Sequence, residues 1–173
     1  MSLRSVHLGL GTNLGDRAAN LTAALAALAD IVTIGDRSSV WETAPMHVLD
    51  QPAFLNMAVA GTTESAPLDL LARIKEIETR LGRVASVRYG PRLIDIDILA
   101  MGDETIDSER LTLPHPRLSE RRFVLAPLAE IAPGLIVGGH NVAALLARLP
   151  AEGDAVRRLG ALDSLAPNLA AAL

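Results

Sequence analysis

The chain has 173 residues, half of them hydrophobic, with no cysteine and a formal net charge of −4. That length suits one domain with a sizeable core, and the acidic balance excludes a general nucleic-acid-binding surface. The missing cysteines exclude disulfides, thiolate metal sites and cysteine nucleophiles. No apolar run reaches the ~18 residues of a membrane span. The start, MSLRSVHLGLG, lacks an apolar stretch followed by a small-residue cleavage site, so a cytoplasmic protein without a signal peptide is expected.

Ser5–Gly11, SVHLGLG, reads as a buried strand ending in a glycine turn. Ala18–Ala29 is Ala/Leu-rich and helical, with Asp16 as its N-cap. Ile31–Trp41 reads as one strand, Glu42–Pro52 as a loop with two prolines, and Ala53–Thr63 as another strand. Pro67–Leu81 carries the clearest helical period. Leu70, Leu71, Ile74, Ile77 and Leu81 form its apolar stripe, and Gly82 stands at the C′ position. Leu93–Ala100 reads as a strand. The order β-α-β-β-α-β is that of a ferredoxin-like α+β fold, an antiparallel sheet with helices on one face. C-terminal additions follow: a turn or hairpin over Gly102–Leu113, a Pro-His-Pro element, and helices near Ser119–Ile131 and Asn141–Leu149. Residues 1–150 make a single catalytic domain in this reading. Ala151–Leu173 is weakly patterned, a docked helix or a loose tail.

The strand LIDIDILA raises the chemical question. Its period of two puts Ile94, Ile96 and Ile98 on one face and Asp95 and Asp97 on the other. One explanation is a solvated strand face. The other is a pair of ligands for a hard cation, which would relieve the repulsion of two neighbouring carboxylates. Arg88 and Arg92 lie close upstream and favour the second, because arginine forks beside a metal suit a polyphosphate. Arg83 belongs to the same run, which contains no acid. His115, Arg117, Arg121 and Arg122 form a second basic cluster.

Other signals are less pointed. GLGTNLG has the spacing G-x-G-x-x-x-G, so a glycine turn fits better than a dinucleotide fingerprint, and no P-loop motif occurs. Glu78 falls inside the apolar stripe of its helix. It lies at the edge, snorkels, or is paired, and Lys75 on the same flank gives this helix a polar edge for a ligand. His115 is either structural or a phosphate contact. Asn56 is unusual in a strand and shares a face with Phe54. Its amide offers the donor and acceptor that a heterocycle edge needs. Phe54, Tyr89 and Phe123 flank these polar positions, either as stacking surfaces or as ordinary packing.

Together these residues resemble a known family. RYGPRLIDIDIL is similar to the signature of the 6-hydroxymethyl-7,8-dihydropterin pyrophosphokinases, or HPPK. GTNLG, WETAP, DQPAFLNMAV, the E-x-x-x-G-R around Glu78 and Arg83, RLTLPHP and RRFVLAPL support it, over roughly Val6 to Gly138. The resemblance implies transfer of pyrophosphate from ATP to the pterin, giving AMP, in folate biosynthesis. It implies two Mg²⁺ ions held by Asp95 and Asp97, with Arg83 and Arg92 completing the catalytic set. Lys75, Glu78, Arg83, Arg88, Arg92, Ile98, Thr112, His115 and Arg121 fall on the ATP side. Thr43, Ala44, Met46, Phe54, Asn56, Tyr89 and Phe123 fall on the pterin side. ATP and the pterin are the expected partners, with no nucleic acid or membrane, and the protein is expected to be a monomer. Ala44, Phe54 and Tyr89 depart from the proline, tyrosine and tryptophan of other members while keeping a pocket wall. Val84–Val87, VASV, lacks the basic residues of other members, which implies weaker phosphate clamping or altered loop closure. The rival readings are a two-metal nucleotidyltransferase on a ferredoxin-like palm, and a non-catalytic binding module.

Overall fold

The computed structural model describes residues 2–44, 50–82, 93–150 and 156–165. Strand β1 (Arg4–Thr12) buries Val6, Leu8 and Leu10, and turns His7, Gly9 and Gly11 to the opposite face. Helix α1 (Arg17–Leu28) starts one residue before the expected Ala18, on the predicted cap Asp16. The Asp16 carboxylate accepts from the Ala19 N–H at 3.0 Å, which satisfies one of the unpaired donors of the first turn.

The single strand expected over Ile31–Trp41 is two strands, β2 (Thr33–Arg37) and β3 (Val40–Thr43). The break falls at Ser38 and Ser39. Ser38 Oγ accepts from the Ala58 N–H at 2.8 Å and donates to the Ser39 carbonyl at 2.7 Å. A side-chain hydroxyl thus replaces one step of the backbone ladder and lets the chain bend. Both strands lie along β4 (Phe54–Thr63), β3 against Phe54–Asn56 and β2 against Val59–Thr62. Glu42 and Thr43, expected in a loop, belong to β3.

Helix α2 (Pro67–Arg80) has proline in its first turn and buries Leu70, Ile74, Ile77 and Glu78. Gly82 follows with φ +93°, the left-handed conformation that ends many helices. Strand β5 (Asp95–Met101) buries Ile96 and Ile98 as expected. The Gly102–Leu113 region forms a hairpin of β6 (Ile106–Asp107) and β7 (Thr112–Leu113). A short 3₁₀ turn (Leu118–Glu120) precedes α3 (Arg122–Ile131), which begins three residues later than the sequence suggests. A small hairpin, β8 (Ile136–Val137) and β9 (His140–Asn141), leads into α4 (Val142–Arg148), capped by Asn141 Oδ1 accepting from the Ala144 N–H at 2.7 Å. Where the sequence suggests a docked helix or a loose tail, the described part of the C-terminal segment holds strand β10 (Val156–Gly160), then a helical turn at 162–165 whose Leu162 joins the main core.

The main sheet runs β10-β3-β4-β1-β5, with β2 also on β4, and every pairing is antiparallel. Its β1-α1-β2/β3-β4-α2-β5 portion is the ferredoxin-like arrangement. Helices α1 and α2 cover one face, where Leu21, Leu28, Leu70 and Ile74 pack on Leu8, Leu55, Met57 and Ile96. The order read from sequence puts helices on one face only, but the other face is partly covered as well. Leu125 and Leu128 of α3 and Val142 and Leu145 of α4 form a second core over Ala58 and Leu99. The end of this face that carries Asp95, Asp97, Phe54 and Asn56 lies outside that second core.

Gly61 shows how tightly the sheet edge is fitted. A Cβ there would overlap the Thr33 carbonyl oxygen, whereas one at Gly35 would make ordinary contact 3.6 Å from the Ala60 carbonyl. Gly61→Ala is expected to lose ~1–3 kcal/mol in denaturant unfolding, the penalty typical of overpacking. Gly35→Ala is expected to stay within ~0.5 kcal/mol of the parent.

Candidate active site

Register builds the site. On β1, Gly11 lies opposite Asp95 and Gly9 opposite Asp97; across β1, Gly11 also faces Asn56 of β4. Asn56 lies opposite Trp41 and Phe54 opposite Thr43 on β3. Directly opposed residues share a sheet face, so the two carboxylates, the glycines, Phe54, Asn56 and Thr43 all belong to one surface. The glycines keep it low. A Cβ at Gly11 would come within 3.1 Å of Asn56 Oδ1 and 4.0 Å of Phe54 Cδ1.

Asn56 and Thr43 are buried, and Asn56 Nδ2 donates to Thr43 Oγ1 at 2.8 Å. That bond fixes which way the amide points and leaves Oδ1 over Gly11. Phe54 and Phe123 are half-buried, so each presents part of its ring. Ala44 is exposed at the end of β3.

Glu78 is paired. It is 1 % exposed; Oε1 lies 3.1 Å from Lys75 Nζ, and Oε2 accepts from the Ile96 N–H at 3.0 Å. Among the described residues β5 ends the sheet, and its outward N–H groups face no further strand there. Glu78 supplies the acceptor, between the two aspartates. A buried carboxylate held by a main-chain N–H and an ammonium fixes the strand's place. Lys75 thereby acts through Glu78, with its stem exposed on the surface of α2.

His115 is pinned by its N–H donating to the Leu99 carbonyl at 2.9 Å, beside the end of β5. Its Nδ1 accepts from the Arg117 N–H at 3.2 Å, which puts the ring proton on Nε2. Burial, then Arg121 and Arg117, lower its pKa against the opposing pull of Asp95, so the ring is neutral near pH ~7. The Arg121 guanidinium lies 5.6 Å from the Phe123 ring centroid, a cation–π contact, while its charge also acts on Asp97 and His115. Thr112 lies half-buried on β7. Ile98 goes the other way. Its side chain is buried in the helix-side core, so only its main chain is left to meet a ligand. Arg83, Arg88, Tyr89, Arg92 and Met46, and the Val84–Val87 loop, lie outside the described residues.

The carboxylate pair is electrostatically loaded. Asp97 is pushed up to about 7, first by desolvation and next by Asp95, with Glu78 adding to the rise and Arg121 and Lys75 opposing it. Among the described residues no cluster of three or more His, Cys, Asp or Glu side chains is assembled. Mg²⁺ needs no such cage, because one or two carboxylates suffice when water and phosphate oxygens complete the shell. The donor set, the accumulated charge and the glycine floor therefore fit a hard divalent cation with a polyphosphate on it.

Two further groups brace this end of the sheet. Asn13 Nδ2 donates to Gln51 Oε1 and the Pro52 carbonyl, both at 3.0 Å, and Arg17 Nη1 donates to the Ala53 carbonyl at 2.8 Å. They fix the chain just before Phe54. The signal for Asn13 lay in GTNLG, where the glycines drew attention from the amide between them.

The family described as 7,8-dihydro-6-hydroxymethylpterin-pyrophosphokinase (HPPK) matches residues 7–133. A Methylorubrum extorquens protein named 2-amino-4-hydroxy-6-hydroxymethyldihydropteridine pyrophosphokinase is 48% identical over 149 residues, covering 85% of this chain and 94% of its own length. A Bacillus subtilis protein of the same name is 49% identical over 127 residues, covering 72% of this chain and 76% of its own length. Among solved structures, the Plasmodium falciparum HPPK-DHPS A437G protein with STZ-DHP superposes with a TM-score of 0.69 at 18% identity. That superposition covers 85% of this chain and 45% of the Plasmodium one, and establishes likeness of fold. The chain belongs to the HPPK family.

The raised Asp97 pKa has a measurable consequence. The folded carboxyl holds its proton more tightly than the unfolded one. This group therefore contributes its full stability below the ordinary Asp range, and the ligand-free protein loses that contribution as pH rises from about 4 to about 7. A cation competes with the same proton. Calorimetric binding of Mg²⁺ to the ligand-free protein should strengthen between pH ~6 and ~8 and release protons. Asp97→Asn should abolish the proton release; an affinity independent of pH in the parent protein would mean that Asp97 is already ionised.

Proposed function

We propose that this protein transfers the β,γ-pyrophosphoryl group of ATP to the hydroxymethyl group of 6-hydroxymethyl-7,8-dihydropterin, forming the pterin diphosphate and AMP. The observation that carries the reading is the Asp95/Asp97 pair on the glycine-floored face of β5, in a chain of the HPPK family. In the step itself, the pterin hydroxyl oxygen bonds to the β-phosphorus and the bond from that phosphorus to the α–β bridging oxygen breaks. AMP leaves with that oxygen, and the hydroxyl proton passes to solvent.

Asp95 and Asp97 would hold two Mg²⁺ ions, which would supply neutralisation of the phosphate charge there. The remaining work belongs to the chain. Arg121 adds positive charge beside Asp97 and buttresses the Phe123 ring. His115, neutral and with its proton on Nε2, donates to a phosphate oxygen without adding charge. The family resemblance assigns Arg83, Arg88 and Arg92 to the ATP side. Phe54 and Phe123 sandwich the pterin, and Asn56, its amide aligned by Thr43, hydrogen-bonds the ring edge. The family resemblance assigns Ala44, Met46 and Tyr89 to the pterin side as well. Ile98 meets the adenosine through its main chain, next to Thr112. Glu78 and Lys75 position β5 and contribute field. Catalysis is thus positioning and charge neutralisation, with no side chain required as a general base. No helix among the described residues is long and apolar enough to cross a membrane.

The test is a product assay. With ATP, Mg²⁺ and the pterin, chromatography should find AMP only when pterin is present. Asp95→Ala should reduce kcat/KM by ~10²–10³-fold, the scale of losing a charge-stabilising contact in the transition state. Release of pyrophosphate in place of AMP would assign the protein to nucleotidyl transfer. A second outcome concerns the floor. Gly11→Ala pushes on Asn56 Oδ1 and Phe54, so it should raise the KM for pterin by ~10-fold, about 1.4 kcal/mol of binding, and leave the KM for ATP within about twofold.

A further inference from the structure

The C-terminal strand lies beyond the residues that match the family, yet it is built into the main sheet. Val156 of β10 is opposite Thr43, Arg157 opposite Glu42 and Arg158 opposite Trp41; after an irregularity, Gly160 is opposite Val40. Strand β3 is four residues long. So short a strand has little ladder of its own, and its place depends on having a neighbour on each side. One neighbour is β4, at Phe54–Asn56. The other is β10.

Side chains repeat the connection on both faces of β3. On one face, Trp41 Nε1 donates to Glu130 of α3, and Arg158 Nε lies 3.6 Å from the other oxygen of the same carboxylate. On the opposite face, Glu42 joins Arg157 at 3.0 Å to Arg17 at 3.4 Å, and Arg17 in turn holds the Ala53 carbonyl next to Phe54. Exposed ion pairs are individually weak, so the main-chain ladder carries most of the constraint and the pairs set its register. The chain of contacts ends at the amide of Asn56, whose direction is fixed by a single bond to Thr43 Oγ1.

We propose that β10 is a positioning element for the acceptor pocket: by clamping β3 it holds Thr43 in place, and through Thr43 it orients the Asn56 amide and steadies Phe54. The proposal rests on the pterin-side assignment of Asn56 and Phe54 above. It predicts a selective effect. Asp95 and Asp97 lie on β5, separated from β3 by β4 and β1, so loosening β10 affects pterin recognition and spares ATP.

The experiment reverses the two arginines in the full-length protein, placing Arg157→Glu opposite Glu42 and Arg158→Glu opposite Glu130. Steady-state kinetics with each substrate varied should show the KM for pterin rising by ~5-fold, the size of a coupling between neighbouring contacts, with the KM for ATP and kcat within about twofold. The paired conservative variant, Arg157→Lys with Arg158→Lys, should stay at the parent value. If the reversed pair fails to fold, Arg157→Ala with Arg158→Ala is read in the same way. An unchanged KM for pterin in a folded variant overturns the proposal. So does a parallel rise for both substrates, which would make β10 a general support of the fold. Asn56→Ala is measured alongside. If it leaves the KM for pterin unchanged, the pocket assignment has failed; if it raises that KM while the arginine variants do not, only the role of β10 has failed.

Discussion

A slip of one residue between β1 and β5 would bring Asp95 and Asp97 into the helix-side core and expel Ile94, Ile96 and Ile98. Each of those isoleucines is at most 4 % exposed, and burial of such a side chain contributes ~1.5–3 kcal/mol. Burying two carboxylates in an apolar core in their place would be far more unfavourable. The packing of α1 and α2 therefore fixes not only the core but the face on which the charges stand. Glu78 reinforces that register from outside the sheet, by accepting the Ile96 N–H on the outer edge of β5. The site is a by-product of the requirement that makes the strand fold.

The second face of the sheet is divided between two tasks. Helices α3 and α4 close it over Ala58 and Leu99 with an ordinary apolar layer. Beyond that layer the same face carries glycine, asparagine, threonine and aspartate. The boundary is set along individual strands. On β4, Asn56 gives way to Ala58, and on β5, Asp97 gives way to Leu99, in each case two residues further on and on the same face. The entry to α3 shows a similar economy. Arg121 turns toward Asp97 and Phe123, whereas Arg122 donates to the Leu149 and Pro150 carbonyls and ties down the end of α4.

The elements with strong period were legible from sequence, because one face of each is buried and the pattern has to show it. Asp16 as a cap, Pro67 and Gly82 as the limits of α2, and the alternation of β5 are all in that class. The division of β2 from β3 was not legible, since Ser38 and Ser39 are acceptable in a strand and only the Ser38–Ala58 contact reveals the bend. Strand β10 was hidden for a related reason. It lies at the outer edge of the sheet with Arg157 and Arg158 exposed, so no buried face imposes a two-residue period on its sequence. Within the site, the carboxylates and Asn56 announced themselves as polar residues inside apolar strands. The floor and the braces did not, because a glycine that makes room and an asparagine that ties two loops together look like turn residues until their neighbours are known. Glu78 was ambiguous for want of a partner, and that partner is a main-chain N–H 18 residues away.

The glycine floor also bears on how the site could respond to an inhibitor. At Gly9 and Gly11 the surface beneath the aspartates is main chain, so an occupant resting there touches atoms that every residue type shares. No substitution can remove those atoms; it can only add to them, and at Gly11 the first added carbon already crowds Asn56 and Phe54. Resistance arising at these positions would narrow the space available to the natural substrate as well. A compound seated on the floor thus meets the part of the pocket with least freedom to change.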